Sequence, residues 1–415
     1  MDDEEAFLQP TPNTNFRIEA SKSSRQTSVS LFTLDNPLAW TSQQLELATV
    51  PYVNHLVAMN GSSTIVAGFS SPSDSLRLFN VTEEGLVPQR ALHTHQDGIS
   101  AIKVDPQDSE NIVWSCGSDG QVLAADLRVA NGGTVCSLQG AFNKTRPFLS
   151  MDISKDGTVA AGTEEGGEDA SIVYWDKRNP SKPISIHTST HSQDINLLSF
   201  NPTAPRLLLS GAADGLLSIT DVLEPDEDEA VRHVRNWGCS ISKAGWAGEA
   251  PKQTIWSTSD METMATWSEE LDLVKEYGDV RNTSASSWKT DYIIGAEWMD
   301  SNVSTPWGVS GVAVWCGNNQ GDLALLLQNE KDLTEWHLER VLQGGHSEIV
   351  RSVCVDSRGG YLLTGAEDGK IVMWDTKSSG IDRSSEDMEM ASSSPPELRR
   401  KRSDEFDSKV LKRRR

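Results

Sequence analysis

Short apolar runs recur along the chain, each ended by a cluster of Gly, Asp, Asn or Ser, which is the pattern of small antiparallel sheets. The last set is the clearest. Residues 350–355, 361–364 and 370–374 read as three consecutive strands, with Asp368-Gly369 as the tight turn between the second and third. Earlier sets repeat the order with wear. The first covers residues 53–58, 64–68 and 75–79. The second pairs His95 with the run from Trp114 to Gly120, the third ends on Trp175-Asp176, and the fourth pairs His191 with the run from Ser210 to Gly215. A fifth runs from Cys239 to Ser268, and a sixth, the most degenerate, centres on residues 312–327. Set ends near Phe79, Asp126, Asp176, Asp221, Ser268, Leu327 and Asp375 lie roughly 45–60 residues apart, the period of a propeller blade with its loops. Seven blades are expected, closed into a ring because an open sheet edge invites aggregation. Few strand-forming residues follow Trp374, so the N-terminal side should complete the last blade. Residues 28–34 are the candidate strand and residues 15–19 a weaker one.

Polar residues inside these apolar sets carry the next expectation. In the last set, His346, Thr364, Asp368 and Trp374 resemble the hydrogen-bonding set of WD repeats, and that resemblance implies a buried relay in which Asp meets His, His meets the hydroxyl, and the hydroxyl meets the indole N–H. His95, Ser115 and Asp119 offer the same trio in the second set, and His191, Ser210 and Asp214 in the fourth; Trp175 keeps the indole in a third set that lacks the His. These are structural assignments, since no nucleophile or second carboxylate converges on them. GxSxG, P-loop and HExxH motifs are missing from the sequence, so no enzyme activity, metal or cofactor is expected.

Charge and composition narrow the class. The formal net charge of −23 argues against a body that grips nucleic-acid phosphates. Acidity concentrates in the runs 224–229 and 164–169, read as solvated loops with the capacity to meet a basic partner. The five Cys are scattered without a CxxC pair, as in reduced intracellular proteins. The first residues, Met-Asp-Asp-Glu-Glu, carry neither the basic nor the apolar region of a signal peptide, and no apolar stretch reaches membrane-spanning length. Residues 1–27 read as an acidic and polar segment, mostly disordered, residues 28–377 as the propeller, and residues 378–415 as a Ser-rich disordered tail. That tail ends in two basic clusters, Arg399, Arg400, Lys401 and Arg402, then Lys412, Arg413, Arg414 and Arg415, the layout of a bipartite nuclear localisation signal read by importin, with RNA contact as a second use. Nuclear and nucleolar enrichment is expected, alongside a cytoplasmic pool.

The Gly-His opening, the Asp turn and the Trp-Asp close together resemble the WD repeat, so the chain is similar to seven-bladed WD40 β-propellers, an all-β class. Beyond that generic signature, Val173-Tyr174-Trp175-Asp176-Lys177-Arg178, Thr190-His191-Ser192-Gln193-Asp194-Ile195, Gly278-Asp279-Val280-Arg281 and Leu362-Leu363-Thr364-Gly365 resemble the WD repeat-containing protein 89 family. The resemblance implies a rigid, noncatalytic surface for other proteins, monomeric outside its complexes. Two partner readings stay open. One is a scaffold of a nuclear assembly, in ribosome biogenesis or chromatin, recognising basic proteins. The other is a substrate receptor of a cullin-4 ubiquitin ligase, because Trp175, Asp176 and Arg178 match the WDxR element that contacts the ligase adaptor, with Ala125-Asp126-Leu127-Arg128 as a degraded copy. Rim positions flanking the turns nominate Asp97, Lys144, Gln193, Asp194, Glu348 and Arg351 for recognition, and Trp298, Trp307 and Trp336 as candidate exposed aromatics.

Overall fold

The computed structural model describes residues 17–19, 31–33, 38–41, 49–82, 85–129, 133–140, 142, 144–167, 169–248, 253–282, 288–299, 311–328, 335–356 and 361–375. All belong to one compact unit, Met1–Lys377. Residues 399–415, with both basic clusters, and Trp307 lie outside the described residues.

Seven antiparallel sheets follow one another in chain order. Blades 1 to 7 begin on the inner strands Val53–Ala58, Ile99–Val104, Phe148–Ile153, Leu197–Phe200, Ile241–Ala247, Tyr292–Met299 and Val350–Asp356. Each inner strand packs beside the next, and Val350–Asp356 packs beside Val53–Ala58, which closes the ring around a central channel. The second strand of each blade is buried almost throughout, as in Thr64–Phe69 and Thr158–Thr163, because neighbouring blades cover both of its faces. Outer strands such as Val231–Asn236 show alternation instead, since one face meets solvent.

A repeated device joins the blades. Five inner strands carry a register shift just after their first residue, at Val53/His55, Ile99/Ala101, Phe148/Ser150, Ile241/Lys243 and Val350/Ser352. Such a bulge turns a side chain sideways, toward the next blade. His55 Nε2 meets the Ile99 carbonyl at 3.2 Å, Ser150 Oγ donates to Ile195 at 2.7 Å, and Ser352 Oγ donates to Val53 at 3.3 Å. Lys243 Nζ donates to the Ile294 carbonyl. Asn196 Nδ2 donates to Ile241 at 2.8 Å, Val350 N–H donates to Tyr292 Oη at 2.8 Å, and Cys116 Sγ makes a weak contact with the Phe148 carbonyl at 3.9 Å. Every junction of the ring therefore has a polar seal as well as an apolar one.

Closure uses different residues from those expected. Leu38–Thr41, not residues 28–34, pairs antiparallel with Lys370–Asp375 and supplies the outer strand of blade 7. Leu31–Thr33, inside the expected segment, instead pairs parallel with Glu335–Gln343 on the outside of blade 6. Arg17–Glu19, from the segment read as mostly disordered, pairs along the same strand. Both short segments pair with a neighbouring strand, but Leu38–Thr41 is the one that meets Lys370–Asp375.

Candidate functional site

The rim that carries the Asp turns is built from within each blade. Gly120, Gly215 and Gly369 occupy one equivalent turn position at φ of +68°, +83° and +71°, a region that L side chains rarely adopt. The Asp before each glycine closes the turn by accepting the N–H two residues on, from Gln121 at 3.1 Å, Leu216 at 2.9 Å and Lys370 at 3.0 Å. The same carboxylates reach a buried imidazole: His95–Asp119 at 3.0 Å, His191–Asp214 at 3.3 Å and His346–Asp368 at 3.2 Å. Across each ring, Nε2 meets Ser115 Oγ at 2.7 Å, Ser210 Oγ at 2.8 Å and Thr364 Oγ1 at 2.7 Å. In blade 7 the relay runs its full length, with Trp374 Nε1 donating to Thr364 Oγ1 at 2.9 Å. Burial alone would raise the three Asp carboxyls, but the hydrogen bonds from the histidines and backbone N–H groups outweigh it and hold them below the usual range. Trp175 departs from the pattern. Its indole N–H is buried without an acceptor, and Thr163 Oγ1 instead accepts the Ser171 N–H at 2.9 Å.

The nominated rim residues do not converge. Asp97 (in the left-handed region at φ +68°), Gln193 and Glu348 are exposed on the loops leading into blades 2, 4 and 7, and Lys144 is exposed before blade 3. Asp194 is committed to structure: its carboxylate accepts the Glu165 N–H at 2.8 Å and its carbonyl accepts the Ala213 N–H at 2.9 Å. Arg351 Nε pairs with Glu367 at 2.7 Å. Of the tryptophans, Trp298 is 36% exposed, whereas Trp336 is fully buried, packed edge-on against Tyr277 with ring centroids 5.3 Å apart.

The acidic runs are less free than their composition implies. Glu227 opens a short helix, Glu227–Ala230, and its carboxylate accepts from Thr188 N–H at 3.0 Å, Ser189 N–H at 2.8 Å and Thr190 Oγ1 at 2.9 Å. Those bonds overcome the burial that would raise its carboxyl, and they hold it below the ordinary range. Arg146 draws in the other run through the carbonyls of Glu164 at 2.8 Å and Asp169 at 3.0 Å.

On the opposite rim, where third strands end, Arg178 folds onto Asp176 through Nε at 2.9 Å and Nη2 at 3.0 Å while its side chain stays 76% exposed. Arg128 takes the same pose on Asp126 in the adjacent blade, at 2.9 and 2.6 Å. Nearby, Lys177 Nζ and Trp114 Nε1 both reach the buried Asp105, at 2.8 and 3.0 Å, tying blade 3 to blade 2.

A central channel follows from the repeats, but the residues that line it were not legible in the sequence. The channel holds a cavity of about 620 Å³ whose wall includes His55, Lys243, Glu297 and Arg351. Burial pushes the His55 imidazole down to about 4 and the Glu297 carboxyl up, the latter eased by an N–H from Trp315 at 3.0 Å. A bulky polar residue at the third position of the inner strand, as with His55 and Lys243, was the available signal. Among the described residues, no three His, Cys, Asp or Glu side chains are grouped to hold a metal, and no helix is long and apolar enough to cross a membrane.

Comparison with known proteins agrees with this geometry. Residues 336–375 match the family model described as WD domain, G-beta repeat. A WD repeat-containing protein of Saccharomyces cerevisiae is 30% identical over 301 residues, covering 69% of this chain and 70% of its own. The WD repeat-containing protein 89 homolog of Dictyostelium discoideum is 26% identical over 336 residues, covering 80% and 83%. A chain from the crystal structure of the mitotic checkpoint complex superposes with a TM-score of 0.61 at 13% identity, over 88% of this chain and 99% of that one, a likeness of fold. With its seven blades, its His–hydroxyl–Asp relays and a relative 30% identical over more than two thirds of either chain, the protein belongs to the WD-repeat family.

Proposed function

We propose that this propeller is a noncatalytic protein-interaction scaffold of a nuclear assembly. The observation that carries the reading is the fixed rim: relays in three blades and the pinned loops at Glu227 and Arg146 hold exposed residues of several blades in place before a partner arrives. The nuclear part rests on the two basic clusters at 399–402 and 412–415, with importin as their reader. Ribosome biogenesis and chromatin are the settings in which basic partners would suit a chain of net charge −23. Native affinity purification of the tagged chain with mass spectrometry tests the scaffold. Recovery of basic nuclear proteins supports it, and recovery of none ends it. A fluorescent fusion lacking residues 399–415 should leave the nucleus; an unchanged distribution removes the localisation signal.

A second reading is favoured by one feature, the exposed guanidinium of Arg178 pre-oriented by Asp176 beside a matching Arg128–Asp126 pair. Such a fork suits an acidic or carbonyl-rich surface on a cullin-4 ligase adaptor. Adaptor recovered with the native chain and lost with Arg178→Ala supports this reading, whereas co-purification indifferent to that change rejects it.

A further inference from the structure

We propose that the central channel accepts a basic side chain of a partner peptide, with Glu297 as its counter-charge. This deepens the scaffold reading and rests on it. The channel cavity, about 620 Å³, falls within the roughly 300–1,000 Å³ common for ligand pockets. Its charged groups are unequally provided for. Lys243 donates to the Ile294 carbonyl and is attracted by Glu262. Arg351 is paired with Glu367 at 2.7 Å. His55, held down to about 4, is neutral near pH 7.

Glu297 is the exception. It is partly buried on the channel wall, receives one indole N–H from Trp315, and among the described residues forms no ion pair. A partly desolvated carboxylate without a cation is costly, and a lysine or arginine side chain delivered from outside would supply what it lacks. The wall beside it leaves room for that side chain. A Cβ placed on Gly295 would meet no atom within 4 Å, and the next residue is Ala296. Cations already in the channel have carboxylate neighbours of their own, so an anionic ligand would have to compete with Glu262 and Glu367.

Fluorescence anisotropy tests this on the full chain, using labelled heptapeptides with a central arginine, lysine or citrulline flanked by Gly and Ser. The arginine or lysine peptide should bind at least tenfold more tightly than the citrulline peptide. Glu297→Gln, which still accepts from Trp315, should erase that preference. Gly295→Leu, which fills open space in backbone that suits any residue, should abolish binding while leaving the melting temperature close to wild type. Absence of binding, equal binding of charged and neutral peptides, or binding unaffected by Gly295→Leu overturns the proposal. A chain that fails this assay yet still co-purifies with its partners loses the channel proposal and keeps the scaffold reading.

Discussion

Thr364 shows how much a single hydroxyl carries in this fold. It meets His346 at 2.7 Å and accepts from Trp374 at 2.9 Å, both in the dry interior of blade 7. Thr364→Val keeps the shape and orphans both nitrogens, so a loss of about 1–3 kcal/mol is expected in urea unfolding. Thr220, at the place of Trp374 in blade 4, has a buried hydroxyl with no partner. Thr220→Val should be neutral or stabilising by up to about 1 kcal/mol. Equal losses at the two sites would show that the relay adds nothing. The relays were legible because each needs a fixed residue type at a fixed place in the repeat. Glu227, Glu297 and Lys243 were not, since their partners lie in a neighbouring strand or blade and no local spacing announces them.

Among the elements, middle strands such as Thr64–Phe69 and Tyr361–Ala366 were the most legible, because burial on both faces demands mostly apolar runs. The closing strand was legible in principle and misplaced in detail. Residues 28–34 and Leu38–Thr41 are both short and apolar, and only pairing distinguishes them. That distinction has a measurable outcome. Removing residues 1–41 exposes the edge of Lys370–Asp375 and should lower the melting temperature by on the order of 5–10 °C, with early proteolysis in blade 7. Removing only residues 1–35 keeps the closing strand and should cost much less. Scanning fluorimetry of the two truncations settles it, and identical melting of both would deny Leu38–Thr41 its role.

At the scale of the whole molecule, the channel wall makes ring stability sensitive to acid. His55 seals blade 1 to blade 2 as a neutral imidazole, its folded value near 4 lying below 6.5. In that window the unfolded chain binds the proton and the folded chain does not, so stability falls as pH drops from about 6.5 toward 4. At roughly 1.4 kcal/mol per unit, the contribution has an upper limit of about 3 kcal/mol. Lys243 faces the imidazole and adds to the same resistance, whereas Glu262 and Glu297, with raised carboxyls, pull the other way on acidification. His55→Gln isolates the effect. The gap in unfolding free energy between wild type and variant should widen between pH 4 and 6.5, and a constant gap would show that the imidazole stays unburdened by its site. Below about pH 4 the depressed carboxyls of Asp119, Asp214 and Asp368 add a further loss as they protonate.

The pairing of Leu38–Thr41 with Lys370–Asp375 also sets an order in time. A ribosome makes the first of these strands before any blade and the second after all of the others. Throughout synthesis the early strand has no mate, and the seal from Ser352 to Val53 cannot form either. Blade 1 must therefore leave the exit tunnel with one flank bare and keep it so until the seventh blade arrives, which makes the nascent chain, rather than the finished ring, the form of this protein most in need of a chaperone.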